Sequence, residues 1–150
     1  MPRWTRPPRE HGVTFHLFRY APLARLNVFG YAGALEADER LRGAAIAATP
    51  LAAAAGWRAT RSVAQAIDAT IVHGHWVVPG GVIAAAAAGS RPLVISLHGS
   101  DVFVAEKHAA VGRATRWAFG RAAYVTACSE DLRLRAIGLG ADRSRSRTIP

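Results

Sequence analysis

The sequence predicts an α/β fold, a doubly wound parallel sheet, on three observations. Between Ala69 and Cys128, three short runs rich in β-branched residues alternate with stretches that carry apolar side chains at helical spacing. The runs are close to continuously apolar, as in strands covered on both faces. The segments between them have roughly ten residues or more, enough for a helical crossover between parallel neighbours.

Taken in order, residues 1–11 are rich in proline and arginine and read as an irregular basic N-terminus, with the folded domain at 12–150. Val13, Phe15, Leu17 and Phe18, with Thr14 and Tyr20, predict a strand that ends at Ala21-Pro22. From Gly33 to Ala66 the chain is alanine-rich, with Leu35, Leu41, Ile46, Leu51 and Val63 loosely spaced as on a helix; Pro50 divides it into two predicted helices. Ala69–His73 reads as a strand, Pro79–Ala88 as a helix with Pro79 in its first turn, and Pro92–Leu97 as the next strand. Ala105–Arg121 is helical, Ala123–Cys128 is a strand, and Ser129–Ile137 is a helix closed by Gly138 and Gly140. Arg147–Pro150 is a last extended piece.

The 150 residues, 51% hydrophobic and 19% charged, have a globular composition, which excludes a disordered tail. A single cysteine, Cys128, excludes an internal disulfide and favours a reducing, cytoplasmic setting. The alanine-rich uncharged stretch 43–57 contains Pro50 and falls short of the ~20 apolar residues that cross a bilayer. The basic N-terminus has no apolar core after it, so it is not a secretory signal. A net charge of +9, carried by arginines and the sole lysine Lys107, favours anionic partners: nucleic acid, a lipid surface or phosphorylated small molecules. Arg113, Arg116 and Trp117, with Arg143, Arg145 and Arg147, are candidates for a phosphate- or lipid-facing surface, although a solvated face explains them better. No nucleic-acid-binding module accompanies them, so a nucleic-acid partner is not expected.

In sheets of this class ligands bind beyond the carboxyl ends of the strands, which directs attention to three segments. The first, His73-Gly-His75-Trp76-Val-Val-Pro79-Gly80-Gly81, has two glycines that either open the backbone N–H groups to a ligand or permit close helix packing. The second is His98-Gly99-Ser100-Asp101. Gly99 suits a left-handed turn, His98 then projects from the strand tip, and Ser100 or Asp101 caps the next helix. The third, Cys128-Ser129-Glu130-Asp131, places Ser129 as an N-cap with two acids in the first helical turn; Ser129 is also a candidate ligand contact. His73, His75 and His98 with Asp101 are of the residue types that bind catalytic zinc, which keeps a metal-dependent hydrolase open as an alternative. Neither a Gly-x-x-x-x-Gly-Lys-Ser/Thr loop nor a Gly-x-Gly-x-x-Gly turn occurs after a strand, which disfavours NTPase and dinucleotide oxidoreductase chemistry.

In this order and spacing, Ile71-Val-His-Gly-His-Trp-Val-Val-Pro-Gly-Gly, Pro92-Leu-Val-Ile-Ser-Leu-His-Gly-Ser-Asp-Val-Phe, Ala123-Tyr-Val-Thr-Ala-Cys-Ser-Glu-Asp-Leu and Arg147-Thr-Ile-Pro form a recognisable set. Together they resemble the N-terminal, acceptor-side domain of family 4 glycosyltransferases. These are retaining enzymes in which two Rossmann-like domains face each other across a cleft, the GT-B architecture. The resemblance implies that His98 is the catalytic residue near the transferred sugar, with Gly99, Ser100 and Asp101 shaping the site. It also implies that His75, Trp76, Gly80 and Gly81 line the acceptor side. The leaving phosphate is expected to help deprotonate the acceptor on the same sugar face, so that His98 polarises or positions.

The co-substrate implied is a nucleotide diphosphate sugar, with no cofactor or metal, and the acceptor a sugar, lipid or glycan. The setting implied is the cytoplasm, with peripheral contact at the inner face of a membrane. Family members open with a strand and Gly-rich loop and continue into a donor-binding domain. The 150 residues therefore read as truncated at both ends, and as inactive alone. A working subunit whose donor domain lies on another chain, and a non-catalytic basic binding module on the same scaffold, are the alternatives.

Overall fold

The computed structural model describes residues 12–20 and 42–149, and the chain divides into two compact units, Met1–Ala59 and Thr60–Pro150. The basic segment 1–11, the end of the first predicted strand at Ala21-Pro22 and the start of the alanine-rich region at 33–41 lie outside the described residues.

In the first unit, Val13 makes an isolated bridge and residues 14–20 have no regular secondary structure, so the strand expected there is not formed. Val13, Phe15, Leu17 and Phe18 all stay about half exposed. A strand takes its register from a buried face, and this alternation has none. Helix α1 (Arg42–Ala66) runs through Pro50 without interruption, where the sequence predicts two helices. A proline inside a helix removes one N–H and crowds the carbonyl four residues earlier, at about 3 kcal/mol. The alanines on either side have the highest helix propensity, and the helix continues past the proline.

The second unit carries the sheet. Strands β1 (Val72–His75), β2 (Leu93–Leu97), β3 (Tyr124–Ala127) and β4 (Ser146–Thr148) lie in the order β1-β2-β3-β4, with every pairing parallel. The strand predicted at Ala69–His73 forms later in the chain, at Val72–His75, with Val72 buried and Ile71 exposed. A wide π-type turn, Val77–Gly81, precedes helix α2 (Val82–Ala87). The Val78–Pro79 peptide is cis and Val78 is extended, so Pro79 lies in this turn and not at the head of a regular helix as expected.

The predicted helix Ala105–Arg121 is two helices, α3 (Ser100–Lys107) and α4 (Ala109–Arg121), divided at His108, whose backbone is extended. The close approach of Gly112 to the Ala105 carbonyl, 2.9 Å from where a Cβ would sit, fixes the bend between them. Helix α5 (Glu130–Gly138) follows β3 as predicted.

Alternation along the strands sorts the side chains. Val72, Leu93, Ile95, Leu97, Val125 and Ala127 enter one core with Ala84, Ala85, Val102, Ala118, Phe119, Leu132 and Ala136 from the helices. The opposite face carries His73 and His75 on β1, half-buried Val94 and Ser96 on β2, and half-buried Tyr124 and Thr126 on β3. This is the four-stranded, all-parallel, helix-flanked sheet of a Rossmann-like domain. Gly74 allows it to close, because a Cβ there would sit 2.9 Å from the Gly81 Cα and 3.1 Å from the Ala84 Cβ.

Candidate active site

Register places His75, Ser96 and Thr126 in one row across β1, β2 and β3. His73 sits two residues before His75 and so shares its face. The polar groups on this face are linked: Ser96 Oγ lies 2.8 Å from His73 Nε2 and 2.7 Å from Thr126 Oγ1. His73 and His75 stack with ring centroids 4.5 Å apart. The imidazole of His73 is held below the ordinary histidine value, first by loss of water around the ring and then by repulsion from His75. At neutral pH it is therefore uncharged.

Beyond the strand tips the two loops meet. His75 Nδ1 lies 3.1 Å from His98 Nε2, so one proton is shared between the rings and one nitrogen of the pair must accept. The indole of Trp76 lies against His98 on its other side, with centroids 4.7 Å apart, and stays about half exposed. Trp76 adopts φ 56° and ψ 127°, a region that bulky L-residues avoid. Its amide still donates to Ser96 O and its carbonyl accepts from Gly81 N.

Sequence reasoning assigned Asp101 to capping or to shaping the site, and the structure gives it a different partner set. Its carboxylate is 3% exposed; Oδ1 accepts from the backbone N–H of Gly99 at 2.9 Å and of His98 at 3.4 Å, while Oδ2 accepts from Val77 N–H at 2.6 Å. Neither Ser100 nor Asp101 caps α3, whose N-cap position is Gly99 at φ 116° with no side-chain bond. Gly80 and Gly81 are required by packing. A Cβ on Gly80 would meet the His75 carbonyl oxygen at 2.1 Å, one on Gly81 would press on Ile95 at 3.3 Å, and the Gly81 N–H is already given to Trp76 O.

Ser129 is an N-cap as expected, its Oγ accepting from Leu132 N–H at 3.2 Å, and it is exposed at the end of β3. It makes no bond to the histidine group that the structure records. Sequence reasoning did not single out Ser96 or Thr126. Their signal was a hydroxyl residue inside an apolar strand, at the same level on neighbouring strands.

The zinc-hydrolase alternative is not supported. Among the described residues no three His, Cys, Asp or Glu side chains are grouped to hold a metal ion. One ring nitrogen of each histidine is paired, that of His73 with Ser96 Oγ and those of His75 and His98 with each other. Arg113, Arg116 and Trp117 lie exposed on α4, and Arg121 sits over the Trp117 ring at 5.8 Å; Arg145 pairs with Asp142. Among the described residues no helix is long and apolar enough to cross a membrane.

No curated protein matches the chain. A family model does: Glycosyltransferase Family 4 matches the sequence across residues 7–150, and the chain belongs to that family.

Proposed function

We propose that this domain forms the acceptor-side wall of a retaining glycosyltransferase cleft. The observation that carries the reading is the meeting of His75, Trp76 and His98 just beyond the carboxyl ends of β1 and β2, where a parallel sheet presents its ligand. An exposed indole supplies an apolar face for a sugar ring, and the paired imidazoles supply a donor and an acceptor for its hydroxyl groups. His98 is the residue against the transferred sugar. His75 and Trp76 line the acceptor side, Gly80, Gly81 and Gly99 give the loops their close approach, and Ser100, Asp101 and Ser129 complete the rim.

The donor is a nucleotide diphosphate sugar gripped by a facing domain. The acceptor is a sugar, lipid or glycan, and the reaction takes place in the cytoplasm at or near the inner face of a membrane. The leaving phosphate takes the acceptor proton on the face it departs from, and the new bond forms there with retention. No metal or cofactor enters this scheme; His98 positions the sugar, and the paired ring of His75 fixes which nitrogen of His98 is free.

The test combines the 150-residue chain with a separately expressed family 4 donor-binding domain and follows sugar transfer from nucleotide sugars, reading the product anomer by NMR. Retained configuration, with loss of at least about 100-fold in kcat for His98→Ala, is expected. Inverted product, or turnover unchanged by His98→Ala, overturns it.

A further inference from the structure

We propose that Asp101 is the positioning residue of this site: its buried carboxylate clamps the loop after β1 to the loop after β2 and thereby holds Trp76 in its positive-φ conformation against His98. The inference rests on the site read above as the acceptor wall.

The geometry is unusual for a helix-start aspartate. Three backbone N–H groups converge on one carboxylate, two from the His98-Gly99 turn and one from Val77, 24 residues earlier in the chain. Asp101 is 3% exposed, and its recorded hydrogen bonds are to backbone N–H groups, with no salt bridge to an arginine or lysine among the described residues. Burying a charge costs several kcal/mol unless it is hydrogen-bonded, so these three bonds are what hold it there. They are charge-assisted, the stronger class.

The Val77 bond is the informative one. Val77 directly follows Trp76, and a bulky residue at φ 56° is strained, a cost that the surroundings must offset. The bonds that pin Trp76 are its own to Ser96 O and Gly81 N–H, together with the Val77 to Asp101 bond, and of these the last alone ties it to the loop that carries His98. Strain is kept at a residue whose indole is half exposed, so the fold gains little from burying it. The gain is orientation of the ring beside His98 at 4.7 Å.

Asp101→Asn separates the two loops chemically. An asparagine has one acceptor oxygen and one NH2, so the oxygen can serve the Gly99 turn while the NH2 faces the Val77 N–H, donor against donor. Trp76→Gly removes the strain that the clamp restrains.

The experiment measures thermal unfolding of the 150-residue chain and its Asp101→Asn, Trp76→Gly and double variants, with NMR cross-peaks between the Trp76 indole and the His98 ring. For Asp101→Asn, the cross-peaks are expected to vanish and Tm to fall by about 5–10 °C, with a smaller fall when the change is made in the Trp76→Gly background. Should Asp101→Asn alone fail to fold, a folded double variant supports the same coupling. Persistent Trp76–His98 cross-peaks in Asp101→Asn, an equal fall in both backgrounds, or a double variant that is also unfolded overturns it. No sugar is used, so failure here leaves the transferase reading intact, and failure of sugar transfer leaves the clamp intact.

Discussion

Two corners of one sheet edge handle polar residues in opposite ways. At the ends of β3 and β4, each polar group has a partner that folding alone accounts for. Ser129 caps α5, Glu130 receives Arg133 through two bonds and Thr148 through a third, and Asp131 pairs with Arg135. At the ends of β1 and β2, imidazoles face each other across two loops, a half-exposed tryptophan sits at positive φ, and a carboxylate is buried with no cation paired to it among the described residues. The first corner follows local rules of capping and surface pairing. The second breaks several at once, and departures from local rules gather where a fold serves a ligand.

The comparison is broken most sharply by activity. With a donor-binding domain added, His98→Ala is expected to lose at least about 100-fold in kcat, while Asp131→Asn at the other corner stays within about threefold of the parent. An equal loss at both corners would mean that the whole strand edge is catalytic and that the contrast in geometry carries no functional weight.

Packing gives the next largest effect. Gly80→Ala drives a Cβ into the His75 carbonyl, a backbone atom that cannot rotate away. We expect a loss of about 3 kcal/mol in urea unfolding, with the same m-value. Gly138→Ala, with nothing within 4 Å of its added methyl, is the control and is expected to stay within about 0.5 kcal/mol of the parent or to stabilise. Equal stability of the two variants would show that the β1 loop does not approach α2 as described.

Much of this was legible in the sequence, for reasons that can be traced to single residues. Three parallel strands and the helix after Ser129 follow from β-branched runs and a capping serine, signals that depend on near neighbours. His98 was marked by its position at the end of an apolar strand, and Trp76 by the family resemblance. What was not legible depends on distant partners. The Asp101 bond spans 24 residues to Val77, so the motif resembles an ordinary cap when read locally. The bend at His108 comes from Gly112 meeting Ala105, and nothing in the spacing of apolar residues records it. Val13–Phe18 alternates as a strand does, but alternation specifies a strand only where one face is buried.

A capping test sharpens the contrast on stability. Ser129→Ala removes the acceptor for Leu132 N–H and is expected to cost about 1 kcal/mol by denaturant titration. Substitution by Asp should recover most of that, since a carboxylate caps equally well and favours the helix N-terminus. The His75–His98 ring signals should not move in either variant, because Ser129 has no recorded bond to either ring.

The smallest effect is also the most specific, because the two corners respond to acid in different ranges. Glu130 is held down to about 2, first by its hydrogen bond to Arg133 and then by that to Thr148. Its carboxylate therefore stabilises the fold fully above pH 4.5, and that contribution is lost as pH falls through the interval toward about 2. Full exposure screens the effect, so Glu130→Gln should only flatten the acid limb slightly. His73 is also depressed, but it is a base and the folded state prefers it neutral. The unfolded chain binds the extra proton as pH drops below 6.5, so stability falls there first. Tm measured from pH 8 to pH 2 should show a shallow decline beginning below 6.5 that His73→Gln removes, and a later one below 4.5, to which Asp142 also contributes, that Glu130→Gln flattens slightly. Loss of both declines in either single variant would mean that the corners titrate as one unit, against the separation that their hydrogen bonds describe.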